Sequence, residues 1–211
     1  MDTVFTGWPE DFQRFFIGLE LDNSKRYFEA NRKLYEKAVR APMEALVAAL
    51  EPEFGPGKVF RINRDIRFSA DKSPYKTNIA ATVGMGGRGG YLSLDARGFT
   101  VASGRYELDA GALPRYREAV DREGSGDELA AIVGELETLG YQVGGEELKR
   151  VPPGYPKDHP RARLLRHKRL YAWRGFGLQP WLSSSEAKEQ VLATWRHAEP
   201  LNDWFRSNLD G

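Results

Sequence analysis

The chain contains no cysteine. Disulfides, thiolate zinc sites and cysteine nucleophiles are therefore excluded. No run of about eighteen apolar residues occurs, so no membrane-crossing helix and no membrane partner are expected. The N-terminus has Asp2 and no apolar stretch behind a basic one, which predicts no secretory leader and a cytoplasmic protein. Histidine is scarce: His159, His167 and His197 are the three. No pair of them has the i, i+4 spacing of a helical zinc site, and no metal or cofactor is expected. Repeats, low-complexity linkers, a nucleophile elbow and a dinucleotide fingerprint are missing too.

What the chain does have is enough apolar matter to fold. Its 211 residues, 41% hydrophobic and 12% aromatic, predict one globular domain over 1–211 with a full core. Composition leaves the oligomeric state open. The net charge is +1, yet the cations are bunched. Arg61–Asn78 holds five of them against Asp65 and Asp71, and Lys149–Arg174 holds nine against Asp158. The rest of the chain carries −10. Such segregation gives a basic face if the stretches meet, or a set of local ion pairs if they do not.

Hydrophobic spacing predicts helices at both ends. "PEDFQRFFIGLE" has Pro9 at the first helical position and Phe12, Phe15, Phe16 and Leu19 on one face. "NSKRYFEANRKLYEKAVRA" is capped by Asn23 or Ser24 and ends before Pro42, with Tyr27, Phe28, Leu34, Tyr35, Ala38 and Val39 inward. "PMEALVAALEPEF" is a third helix, ending at Pro52 or Gly55. The period then changes to two in "KVFRINRDIRF", "TNIAATV", "GYLSLD" and "GFTVAS", separated by turn residues. The expectation is α+β: an antiparallel β meander, roughly 58–104, packed against N-terminal and C-terminal helices. Later helices fit "GALPRYREAVDRE", "SGDELAAIVGELETLG" capped by Ser125 or Asp127, "HPRARLLRHKRL" with Leu164 and Leu165 inward, and a final pair around Pro200. "YQVGGEELKRVPPGYPKDHP" reads as loop and "YAWRGFGL" as a late strand.

The basic stretch "RINRDIRFSADKSPYKTN" carries the sharpest misfit. A strand over Phe60–Phe68 puts Phe60, Ile62, Arg64, Ile66 and Phe68 on one face and Arg61, Asn63, Asp65 and Arg67 on the other. Arg64 then lies among apolar neighbours and needs a carboxylate, carbonyls or a bound anion. Asp71, Ser73 and Pro74 predict a turn that brings Lys72 and Lys76 back to the strand end. Mobile ammonium groups beside a fixed guanidinium fork suit an anion. An arginine–aspartate pair that only holds the fold in register is the plainer alternative.

Three segments together, "FTGWPEDFQRFFIGLELDNSKRYFEANRKLYEKAVRAPMEAL", "FRINRDIRFSADKSPYKTNIAA" and "RVPPGYPKDHPRARLLRHKRLYAW", resemble the uncharacterised family called domain of unknown function 2461. The likeness covers nearly the whole chain, with the motifs in family order. It implies an α+β protein without an established activity. Its central motif falls on Arg61, Arg64, Asp65, Arg67, Phe68, Asp71, Lys72, Pro74, Tyr75 and Lys76. Tyr27 stands where the family usually shows tryptophan, and Asn63 where an aromatic residue is common. The resemblance joins the two basic stretches in one signature.

Other motifs weigh less. "GMGGRGG" lacks the Gly-Lys-Ser/Thr ending of a phosphate loop and reads as a hairpin. His159, between Asp158 and Pro160, reads as a cap or surface residue before a general base. The favoured function is binding of a phosphate- or carboxylate-bearing small molecule in a basic cleft. The candidates are Arg61, Arg64, Asp65, Arg67, Asp71, Lys72, Tyr75, Lys76, His159 and Lys168. A metal-assisted phosphoester enzyme is an alternative, and it requires an open position beside Asp65 or Asp71. Nucleic-acid binding across a joined basic surface is a further one, disfavoured by the acidic remainder.

Overall fold

A computed structural model gives the fold and describes residues 4–67, 70–84 and 88–210. The described residues divide into two compact units that interleave along the chain. One draws on 1–85, 91–101 and 175–193, the other on 86–90, 102–174 and 194–211.

The first unit opens with α1 (Asp11–Leu21), which buries Phe12, Phe15, Phe16 and Leu19, the stripe its spacing dictates. Pro9 lies two residues ahead of the helix, and its carbonyl accepts from Phe12 N–H at 3.1 Å. Helix α2 (Lys25–Tyr35) begins at Ser24, whose hydroxyl accepts from Tyr27 N–H. The break expected before Pro42 does not occur. A π-helical turn, Glu36–Arg40, leads directly into α3 (Ala41–Phe54). Its i→i+5 bond from Ala41 to Glu36 widens the helix next to Pro42, which has no N–H to give. Phe15, Phe28 and Tyr35 pack ring against ring. The Tyr27 hydroxyl donates to the Phe15 carbonyl, over a Gly18 whose missing side chain makes room for it.

Strands β1 (Gly57–Val59), β2 (Asn78–Val83), β3 (Gly90–Asp95) and β4 (Gly98–Arg105) form the meander. Later come α4 (Ala112–Asp121), α5 (Glu123–Thr138), β5 (Gln142–Gly144), α6 (Ala162–Arg166), β6 (Leu170–Gly177), α7 (Glu186–His197) and α8 (Glu199–Leu209). The six strands are hydrogen-bonded in the order β1-β2-β3-β4-β6-β5. The fold is α+β. Two strands extend the expected meander beyond β4. One is the late strand; the other, β5, lies in the passage read as loop. It pairs antiparallel with β6, Val143 opposite Ala172.

In the second unit, Tyr116 of α4, Leu129 of α5, Leu165 of α6, Ala172 of β6 and Trp204 of α8 share one core. Ser125 and Asp127 do not cap α5, because the helix starts earlier, at Glu123. Ser125 donates instead to the Ala119 carbonyl at 2.5 Å, closing the corner between α4 and α5.

Candidate functional site

The segment 60–77 departs from the sheet after β1 and returns to it at β2. Lys76 N–H donates to the Ile62 carbonyl at 2.8 Å and Arg64 N–H to the Pro74 carbonyl at 2.9 Å. These two bonds frame an isolated bridge between Asn63 and Tyr75. The strand expected over Phe60–Phe68 is therefore only a short ladder beyond Val59. Pro74 cannot return the hydrogen bond that Arg64 gives it, so pairing stops there. The alternation of faces survives. Phe60, Ile62, Arg64 and Ile66 are buried or half-buried, whereas Arg61, Asn63, Asp65 and Arg67 are exposed. Phe68 lies outside the described residues.

Arg64 has the partner its position demands. Its side chain is 28% exposed and its Nη1 pairs with Asp71 Oδ2. The other Asp71 oxygen accepts from Ser73 N–H at 2.9 Å. Asp65 is held by Arg67 through Nε at 3.0 Å and Nη2 at 2.7 Å. The Arg67 hydrogen bonds keep the Asp65 carboxyl below its ordinary range. Lys72 Nζ donates to the Ile66 carbonyl at 3.0 Å, and Lys76 Nζ stands 5.8 Å from the centre of the Phe60 ring. Among the described residues no carboxylate pairs with Arg61, Lys72 or Lys76. Arg61 acts on Asp65 only through space, its charge helping to hold that carboxyl low, and among the described residues Lys72 and Lys76 have no anionic counterpart.

The loop is pinned at its base. Tyr75 is 5% exposed and stacks on Phe28, ring centres 4.4 Å apart and 18° from parallel. Asn23 grips the Tyr75 peptide from both sides, donating to its carbonyl at 3.0 Å and accepting from its N–H at 3.1 Å. Sequence spacing offers Asn23 only as a helix cap, a task Ser24 performs. Nothing local signals the clasp, because the two residues are 52 apart.

The second basic stretch belongs to the other unit, so the remaining candidates are located there. It is threaded with carboxylates from elsewhere in the chain. Lys168 pairs with Glu146 at 2.7 Å, and Arg163 with Glu137 at 2.6 Å. His159 Nδ1 accepts from Arg161 N–H at 3.0 Å, while its Nε2 faces Asp121 at 3.1 Å. That arrangement places the ring proton on Nε2 and leaves both nitrogens engaged.

The deeply buried cation is Arg161, which its position in the sequence does not single out. It is 9% exposed. Nε and Nη2 donate to the Val120 and Asp121 carbonyls, both at 2.7 Å, and Nη1 pairs with Asp127. The guanidinium thus closes the C-terminal turn of α4, where the helix presents carbonyls and negative potential. His167 is a second buried titratable group. Its ring is fully enclosed, neither nitrogen has a hydrogen-bond partner among the described residues, and Glu147 stands 3.5 Å away. Burial pushes its pKa down. Of "GMGGRGG", Met85, Gly86 and Gly87 lie outside the described residues.

The family model described as conserved hypothetical protein (DUF2461) matches residues 11–204. The chain belongs to this family. The match spans both units and includes every candidate residue named above. The chain matches no curated protein and no solved structure.

Proposed function

We propose that this protein binds a phosphate- or carboxylate-bearing small molecule at the 61–76 loop. The observation that carries the reading is the unbalanced charge of that loop. Asp65 and Asp71 are each ion-paired to one arginine, and among the described residues Arg61, Lys72 and Lys76 form no ion pair. A ligand oxyanion would take the place of the missing partner, with charge-assisted hydrogen bonds from ammonium and guanidinium groups. The clasp by Asn23 and the stacking of Tyr75 fix the loop base, which lowers the ordering cost of binding.

Thermal unfolding measured across a titration with inorganic phosphate and phosphate monoesters tests the reading. Binding raises the unfolding temperature in step with ligand concentration. Replacing Arg61, Lys72 and Lys76 together by alanine is expected to abolish that rise. A flat titration on the unaltered protein would overturn the proposal.

A metal-assisted phosphoester enzyme at the same loop is the weaker reading. Both carboxylates it would use are engaged by arginines, and the described residues contain no cluster of three or more potential metal ligands.

A further inference from the structure

Strand β6 has two unlike faces. Leu170 and Ala172 are buried in the core of the second unit. The alternate positions, Arg169 just ahead of the strand and then Tyr171 and Trp173, must point the other way. Those two rings are only half-buried. They adjoin at 5.2 Å between centres, and Tyr106, 66% exposed, continues the row 5.8 Å from Tyr171. The Arg169 guanidinium lies over the Tyr106 ring at 4.7 Å.

Each neighbouring strand places a glycine beside this row. Gly144 of β5 is the register partner of Tyr171. On the β4 side, a Cβ at Gly104 would come within 2.6 Å of the Tyr171 Cα, so Gly104 lies directly beside it. Gly104 has φ +129°, a conformation that glycine adopts without strain. Trp173 leans over Gly144, where an added Cβ would sit 3.8 Å from its ring. Neither neighbouring strand places a side chain of its own at the level of Tyr171; the space over Gly144 is taken by the tip of Trp173 and by His167 Cε1. Three aromatic rings and a guanidinium then form a row of π surfaces.

We infer that this row is a platform for single-stranded nucleic acid, whose unpaired bases stack on Tyr106, Tyr171 and Trp173. Every base has a π face, and exposed aromatic rings on an open sheet offer stacking without sequence preference. Charge favours this occupant over an uncharged one. Glu146 is shared between Lys168 and Arg169, at 2.7 and 3.6 Å, so one carboxylate serves two cations beside the platform. A phosphate backbone running along the rings would meet that surplus. A duplex, with its bases paired and stacked inside, has no faces to offer. The surface is distinct from the 61–76 loop and uses none of its residues.

Fluorescence anisotropy with a labelled oligouridylate and an oligothymidylate of about twelve nucleotides tests the inference. Binding is expected for both strands, to weaken with added salt and to quench tryptophan emission. Tyr171→Ala and Trp173→Ala should each weaken it by roughly 5- to 150-fold, the range of one base–aromatic stack. Trp173→Phe should keep most of it, which separates lost stacking from lost folding. Equal binding of a duplex of the same length, or alanine variants that bind as tightly as the parent, would overturn the inference. So would no anisotropy change with either strand at low salt, including the case in which only a neutral oligosaccharide or a proline-rich peptide quenches the tryptophan.

Discussion

Asn23 and Tyr75 exchange two hydrogen bonds, side-chain amide to backbone peptide, at 3.0 and 3.1 Å. The pair ties the segment ahead of α2 to the base of the candidate loop. Replacing Asn23 by alanine leaves a donor and an acceptor of the half-buried Tyr75 peptide without partners. The expected loss is about 1–3 kcal/mol. In a chain of this size that is a fall of about 2–4 °C in Tm per kcal/mol. Asn23→Asp keeps the acceptor and should lose less. Thermal denaturation of the two variants measures the difference, and equal stability of Asn23→Ala and the parent would show that the clasp contributes nothing.

Two glycines of α5 should respond in opposite directions to the same substitution. An added Cβ at Gly126 would overlap the Val120 carbonyl and the Arg161 Nε. Gly126→Ala must therefore displace the guanidinium that closes α4, and is expected to destabilise in spite of alanine's better helix propensity. Gly134 faces open space. Gly134→Ala should stabilise by about 0.5–1 kcal/mol, the usual gain within a helix. Denaturant titration of the two variants reads the sign directly.

The buried imidazole of His167 predicts a pH dependence. Burial holds its folded pKa below the ordinary 6.5, opposed by Glu147 and reinforced by Arg163 and Arg166. Between the folded and the unfolded pKa only the unfolded chain binds the proton. Stability is therefore full above about pH 6.5 and falls as pH drops below it, by at most about 1.4 kcal/mol per pH unit, levelling off below the folded pKa. His167→Phe removes both orphan nitrogens. Its stability should change less between pH 7 and pH 5 than that of the parent. The two proteins differ at this one ring, so the difference between the two profiles isolates it. Parallel profiles would refute the assignment.

Asp71→Asn separates the two readings of the loop. If the loop holds an anion, loss of the internal counter-charge frees Arg64 and strengthens phosphate binding by up to roughly 5-fold, the scale of one partly exposed ion pair. If Asp71 served a metal-assisted hydrolysis, the same variant would lose activity on phosphoesters without any gain in affinity. Isothermal titration with phosphate, alongside a hydrolysis assay, distinguishes these outcomes.

Much of the architecture is legible along the chain, because helix and strand periods are local. Phe12, Phe15, Phe16 and Leu19 announce the buried face of α1, and the four alternating runs announce the meander. The alternation about Arg64 and its need for a counter-charge were legible too, since face and burial follow from backbone period. Strand β5 was not. Three residues inside a passage rich in glycine and proline give too short a pattern, and they become a strand only because β6 offers an edge. The π-helical turn ahead of Pro42 was equally invisible, since proline ordinarily reads as a stop.

By itself the sequence determined which residues face inward, roughly where the helices and strands β2, β3 and β4 run, and that the cations crowd into two stretches. Only the tertiary structure decided how each of those charges is met. Arg161 finds Asp127 at a separation of 34 residues, and Asn23 finds Tyr75 at 52. The physical reason is that burial follows the short repeat of the backbone, whereas an ion pair or a side-chain clasp requires two distant segments to be brought within about 3 Å of each other. That distance is set by packing and not by any local pattern.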